Sequence, residues 1–281
     1  MPVFKFNPWF VFLFMFLWWF VSGRQLLVAF SLVIIHELAH AVVARIKGFP
    51  IRKIEILPIG GAAEYTGFLE MYPSAEICVA LAGPMLNLLL VPLLYFLQRE
   101  LFLRYSLILA VFNLLPVLPL DGGRVVRAIF IRTRGFKLGM QTALKLSRGS
   151  CFILFVTGLL MIAVNYLSAI FVITAFFVYY SIRIEKEQFY FRLQGYLLCR
   201  KEKPHICCKE TAVTRVVTGA LFVEELAVQL SPEKYDIFYV VDQQYQIKTV
   251  LTETDLLEAF FSLEDRNLRL MDLMEDSEHE C

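Results

Sequence analysis

The chain of 281 residues is 58% hydrophobic and 19% charged, with a mean hydropathy of +0.62; ordinary soluble domains are about 45 to 50% apolar and about 25% charged. These figures exclude a purely soluble globular enzyme and indicate an integral membrane protein. The net charge of +1 conceals two unlike halves, since residues 1–182 hold 15 Lys/Arg against 7 Asp/Glu and residues 183–281 hold 12 against 19.

A spanning helix needs about 20 predominantly apolar residues, and six stretches qualify, near 6–22, 25–44, 75–97, 101–120, 148–165 and 168–184. Lys5 ahead of the run Trp9 to Val21 mimics a signal peptide, but no small-residue cleavage site follows, so the run is expected to be retained as the first span. The last two spans are parted only by Asn165 to Ser168, which reads as a tight turn. An even number of spans puts both termini on one side. With the N-terminus cytosolic, the cytosolic loops hold eleven cations: Arg45, Lys47, Arg52, Lys53, Arg124, Arg127, Arg132, Arg134, Lys137, Lys145 and Arg148. The opposite face holds three, Arg24, Arg99 and Arg104, so the positive-inside bias makes both termini cytosolic.

Between the second and third spans, Ile51 to Tyr65 alternates Ile54 and Ile56 with Pro58 and the pair Gly60-Gly61. This predicts a short hairpin or re-entrant strand, or else an interfacial loop. Such backbone is tolerated at membrane depth only where protein or water satisfies it. Residues 1–184 are therefore expected to form the transmembrane domain, 185–203 an interfacial helix or linker, and 204–281 a small soluble domain. In that last part the run Ile237 to Val241, a turn at Asp242, the run Gln246 to Leu251 and a helix from Leu256 to Leu263 are legible. The six cysteines show no C-x-x-C spacing, so neither a disulfide framework nor a thiolate zinc site is indicated.

The second span contains His36-Glu37-Leu38-Ala39-His40. On a helix, positions i and i+4 share a face, so both imidazoles converge on one metal while Glu37 reaches a bound water. The chain has four histidines, and two of them fall in this one apolar helix. Ionisable groups at bilayer depth cost about 2.5 to 3.5 kcal/mol each, for which metal coordination is the obvious compensation; the alternative is a polar cluster that merely glues helices together. Catalytic zinc has three protein ligands and an open position. No third histidine exists in the membrane half, which leaves a carboxylate. Among its acids, Glu55, Glu64, Glu70, Glu76 and Glu100 fall in loops or at a span start, and Asp121 closes the fourth span in Asn113-Leu-Leu-Pro116-Val-Leu-Pro119-Leu-Asp121-Gly-Gly. Its two prolines break the helix ladder and turn Asp121 toward a neighbouring helix; the bland alternative is a helix-terminal aspartate.

H-E-L-A-H on a membrane helix, followed by Ala82-Gly83-Pro84-Met85-Leu86-Asn87 and then by Asn113-x-x-Pro-x-x-Pro-Leu-Asp121-Gly, resembles the site-2 protease family of intramembrane zinc metalloproteases. The resemblance implies one Zn²⁺ held by His36, His40 and Asp121, with Glu37 as catalytic base. Where many members have N-P-D-G this chain has Leu118-Pro119-Leu120-Asp121, so an asparagine behind the metal would be Asn87 or Asn113, each of which could equally serve interhelical hydrogen bonding. Gly60 and Gly61 would lie in a substrate-holding strand.

Thr211 to Phe261, with Val240-Val241-Asp242 and Thr252-Glu-Thr-Asp255 before a helix, resembles a CBS domain. That resemblance implies ATP or a related nucleotide at Thr252 and Asp255, although Thr252 or Thr254 could instead be a simple helix cap, and a single motif implies a homo-oligomer. The expected fold is thus an α-helical polytopic membrane protein of about six transmembrane helices, with a small re-entrant β element and a C-terminal α/β CBS domain. Six spans with one such domain are similar to the sporulation branch of the family, the stage IV factor B type. The branch implies a membrane-associated sigma-factor precursor (sigma-K) as substrate, small inhibitory membrane proteins as partners, the bilayer around a developing forespore as location, and no nucleic acid. A CBS-regulated transporter or channel is the rival class, and a zincin with its site outside the bilayer a third; the apolar residues flanking His36 and His40 oppose the last.

Overall fold

Residue type and spacing set the helices that carry the histidines. In the computed structural model, residues 3–6, 22–57, 60–65, 67–162, 169–202, 212–230, 234–242, 244–262 and 270 are described. The expected first span, the turn Asn165 to Ser168, and His205, Cys207, Cys208 and His279 lie outside them, save the margins of that span. Helix α1, Gly23–Ile46, has no proline and no interior glycine, and it buries Val28, Leu32, His36, His40 and Ala44. These recur every four residues, so the histidines belong to the packed face and not to the lipid side. Helix α2, Pro73–Phe96, starts on a proline whose missing N–H costs nothing at the first helical position. Glu76, Ala80, Gly83 and Asn87 line its buried face, and it packs against α1.

The expected fourth span divides. Helix α3, Glu100–Asn113, has 14 residues, about 21 Å of length against about 30 Å of hydrocarbon. It stops because Pro116 and Pro119 cannot continue the ladder, and the turn that follows contains a cis Leu118–Pro119 bond. Helix α4 then runs from Asp121 to Ile162, with non-helical angles only at Gly135. The segment expected as a charged cytosolic loop is therefore helical. Ala128, Ile131, Phe136, Met140, Ala143 and Leu144 are buried beneath its charges, which is an amphipathic spacing that the dense Arg and Lys obscure. Helix α5, Ala169–Glu202, continues through the expected linker. Among the described residues, α1, α2 and Asp121–Met161 of α4 are long and apolar enough to cross a membrane.

The stretch after α1 is a hairpin. Strand β2, Ile51–Leu57, pairs antiparallel with β3, Gly60–Tyr65, with Ile54 opposite Ala63 and Leu57 opposite Gly60. A strand not foreseen, β1, Val3–Phe6, adds parallel to β2, so the sheet order is β1-β2-β3 and β3 is an edge.

The fold divides into two compact units, Met1–Ala128 with Ala143–Glu185, and Ile129–Thr142 with Lys186–Cys281. In the second unit the order is β-α-β-β-α: β4 Ala212–Thr218, α6 Val223–Ala227, β5 Tyr235–Val241, β6 Ile247–Thr252 and α7 Glu253–Ser262. Strands β4 and β5 are parallel, β5 and β6 antiparallel. Asp236, Phe238 and Val240 alternate into the core of this unit. Buried Glu253 is ion-paired with Arg200 and accepts the Asp236 N–H at 3.1 Å, so its charge is compensated.

In the turn after β5, the backbone N–H groups of Gln246 and Gln244 donate to Asp242 Oδ1 at 3.0 and 2.8 Å, and Lys248 Nζ lies 3.5 Å from Oδ2. The Gln246 donor, helped by the other two, holds this carboxyl below its ordinary value. The turn is therefore favoured above the ordinary carboxylate range and loses that contribution as the pH falls through the lowered value.

Thr252 and Asp255 cap α7. The Thr252 N–H donates to Asp255 Oδ2 at 3.0 Å, and the Asp255 N–H donates to Thr252 Oγ1 at 3.3 Å, a reciprocal capping box. Asp255→Ala is expected to lower the stability of this unit by about 1 kcal/mol, read from its denaturant midpoint.

Candidate metal centre

Two helices, α1 and α4, supply the three residues of one cluster. Asp121 opens α4, and its Oδ2 lies 3.1 Å from His36 Nε2 and 3.2 Å from His40 Nε2; the two Nε2 atoms are 3.1 Å apart. The three residues are 7% exposed or less. His40 Nδ1 lies 2.6 Å from the Val79 carbonyl oxygen. A carbonyl only accepts, so Nδ1 carries the proton and Nε2 of the neutral ring presents its lone pair inward. Two imidazole lone pairs and a carboxylate oxygen in mutual contact repel unless a cation sits among them. Tetrahedral zinc with bonds of about 2.0 to 2.1 Å sets its ligand atoms about 3.3 Å apart, close to the spacing here. Among the described residues these three form the group able to hold a metal.

Asn87 of α2 places its amide 3.1 Å from His36 Nδ1. With Nε2 facing the metal, Nδ1–H needs an acceptor, and Asn87 Oδ1, otherwise without a hydrogen-bond partner, fills that position after a half-turn of the amide. Gly83 gives the rings room: a Cβ there would lie 2.6 Å from His36 Cε1 and closer still to His40 Nε2. The structure brings His36, His40 and Asp121 together, and the sequence offered Asn87 beside Asn113 as the asparagine behind them. The structure separates the two asparagines, because Asn113 Nδ2 donates to Leu109 O of its own helix at 3.0 Å.

The sequence model of Peptidase family M50 matches residues 25–104 and 93–157, which contain the whole cluster. The chain belongs to this family, the site-2 protease family of membrane zinc metalloproteases. A zinc metalloprotease of Methanocaldococcus jannaschii is 32% identical over 170 residues, covering 54% of this chain and 46% of that one. Stage IV sporulation protein FB of Bacillus subtilis is 25% identical over 265 residues, 89% of this chain and 88% of its own. The solved site-2 protease from Methanocaldococcus jannaschii superposes with a TM-score of 0.52 and 26% identity, covering 65% of this chain and 89% of that structure. The chain thus spans about half the length of the archaeal curated relative and most of the sporulation protein.

Around the metal centre of this M50 chain lie charges that sequence reading assigned elsewhere. Arg124 and Arg127, counted as loop cations, sit on α4, where Arg127 is fully buried and Arg124 Nη1 lies 3.6 Å from Asp121 Oδ1. Tyr65, the last residue of β3, lies within electrostatic reach of Arg124, Glu37 and Asp121. No motif marks Tyr65 in the sequence; only the hairpin register brings it here. Glu37 is half-buried on α1, one residue beyond His36. Gly60 and Gly61 open β3 opposite Leu57 and Ile56.

Proposed function

We propose that this chain hydrolyses a peptide bond of a membrane-associated substrate at the centre formed by His36, His40 and Asp121, with Glu37 as the general base. The observation that carries the reading is the set of three metal-ligand atoms 3.1 to 3.2 Å apart, buried between helices of membrane-spanning character. Zinc, when held there, would supply the Lewis acidity that polarises the scissile carbonyl and makes a water acidic near neutral pH. Glu37 takes the proton of the attacking water and passes it to the leaving amine. A helical substrate has its amides hydrogen-bonded internally, so it must unwind before attack. Edge strand β3 offers the unwound segment a partner by strand addition, and Tyr65 at the end of β3 lies within electrostatic reach of Arg124, beside the metal ligand.

The finer reading follows the relative that matches along most of the chain. The 25% identity to stage IV sporulation protein FB over 89% of the chain favours a sigma-factor precursor as substrate; a membrane around a forming spore as location and small membrane proteins as inhibitors are what the resemblance to that branch implies. We take 1–184 as a six-span protease domain with cytosolic termini, and 204–281 as a CBS-like domain joined through 185–203. The β-α-β-β-α order supports that assignment of the tail. ATP or a related nucleotide at Thr252 and Asp255, in a homo-oligomer, would then regulate cleavage.

Metal analysis tests the centre. Purified wild-type protein should contain about one zinc per chain, and His36→Ala should contain almost none while keeping its helical circular dichroism. Prolonged dialysis against a chelator should remove both zinc and proteolysis, and added zinc should restore them. A His36→Ala protein with normal zinc content would refute the centre.

A further inference from the structure

The three-residue ligand set proposed above leaves one question of geometry open, namely what keeps Asp121 to one oxygen. Only Oδ2 faces the two Nε2 atoms; Oδ1 points to Arg124 Nη1 at 3.6 Å. Were both oxygens to bind the metal, the second would add a fifth ligand and crowd the position that a water needs. Arg124 is itself held, for its Nε lies 3.7 Å from Glu76 Oε1 on α2. Glu76 is completely buried, and the same Oε1 accepts a hydrogen bond from Arg127 Nη2 at 2.5 Å, while its Oε2 has no hydrogen-bond partner. Arg127, also completely buried, uses Nη1 to donate to Glu185 Oε1 on α5 at 2.5 Å, and Glu70 Oε1 stands 4.0 Å from its Nη2. An unbroken line of alternating charges therefore joins α2, α4 and α5 and ends on the metal-ligand carboxylate.

Stability does not account for this line. Replacing a buried ion pair by apolar residues of similar volume is often neutral or stabilising, and most buried residues of this interior are apolar. Resting on the metal-centre reading above, we propose that Arg124, Glu76, Arg127 and Glu185 form a positioning relay that holds Asp121 to the metal through Oδ2 alone. The relay makes the site three-ligand and open. Arg124 touches Oδ1 and none of the reacting atoms; it acts through Asp121, and Glu76, Arg127 and Glu185 act through Arg124.

The test uses full-length protein in detergent with cobalt(II) in place of zinc, since the intensity of visible cobalt absorption falls when coordination rises from four to five. Wild type should give the intense spectrum of a four-coordinate site. Arg124→Leu should give weaker absorption and a metal affinity lower by about 10- to 100-fold in chelator competition, the range expected for loss of an outer partner of a ligand. Arg124→Lys, which keeps the cation, should recover part of both. Glu185→Gln, conservative in volume and at the far end of the line, should move spectrum and affinity the same way by less. Wild-type spectrum and affinity in a folded Arg124→Leu overturn the relay; should that variant fail to fold, the wild-type values in Glu185→Gln overturn it. Failure of the wild-type protein to bind cobalt or zinc refutes the metal centre itself, which separates the two hypotheses.

Discussion

Glu37→Gln should retain wild-type zinc and lose about 10²- to 10⁴-fold in peptide cleavage, the contribution that a positioned general base makes. The substitution changes neither volume nor helix propensity appreciably, and Glu37 is not among the three converging ligand atoms. Loss should therefore fall on turnover, with metal binding unchanged. His36 and His40 point to the packed side of α1, and Glu37 is rotated from His36 by about 100°, one residue of a helix with about 3.6 per turn. From there its carboxylate would meet a water on the open side of the centre, and Tyr65 lies within electrostatic reach of both Glu37 and Asp121. Co-expression with a membrane-tethered sigma-factor precursor, wild type against Glu37→Gln, reads reaction and substrate together: processing by wild type alone supports both assignments. Residual cleavage above about one tenth of wild type would remove Glu37 from the base role. Zinc lost in Glu37→Gln would instead make it a ligand.

How much of this was legible beforehand follows from which interactions are local. The His-x-x-x-His spacing is a property of one helix, so the pair could be read directly, and Asp121 followed because zinc chemistry needs a third ligand and the membrane half has few acids. The hairpin was visible in Pro58 and Gly60-Gly61. By contrast, Glu76 and Arg127 are 51 residues apart in sequence, and Arg127 and Glu185 58. Nothing local to a lone Arg on a charged helix says that it is buried rather than solvated. The same ambiguity made residues 124–145 look like a loop, because their Arg and Lys overwhelm an apolar face of about one residue in four. Strand β1 escaped notice for a related reason: its four residues acquire meaning only from parallel pairing with a segment about 50 positions away. Thr252 was ambiguous between a ligand contact and a cap, and the cap is what its local hydrogen bonds make.

Gly83→Ala should weaken metal binding more than about 10-fold by a single methyl group. In most helices this substitution is favourable, since glycine is about 1 kcal/mol worse than alanine in a helix interior. Here the added Cβ would stand 2.6 Å from His36 Cε1 and 2.7 Å from His36 Nε2, with His40 Nε2 nearer still. Carbon atoms in contact sit about 3.5 to 4.0 Å apart, so something must move by roughly an ångström. The imidazoles are poorly able to yield, because His40 is tied through Nδ1 to the Val79 carbonyl at 2.6 Å and His36 has Asn87 at 3.1 Å behind it. Either α1 and α2 separate, or a ring turns out of the cluster, and each course spoils the three-ligand spacing. Overpacking of this kind costs about 1 to 3 kcal/mol, which outweighs the gain in helix propensity. Gly83→Ala should therefore fold with modestly lower stability and bind zinc more than about 10-fold more weakly, beyond the lower end of what outer-partner loss produces. Gly149→Ala supplies the contrast, because a Cβ at that position of α4 meets nothing within 4 Å. It should keep full zinc affinity and gain up to about 1 kcal/mol in helix stability. Equal zinc affinity in the two variants, measured by chelator competition on folded protein, would show that the space at Gly83 is not what lets the two histidines meet.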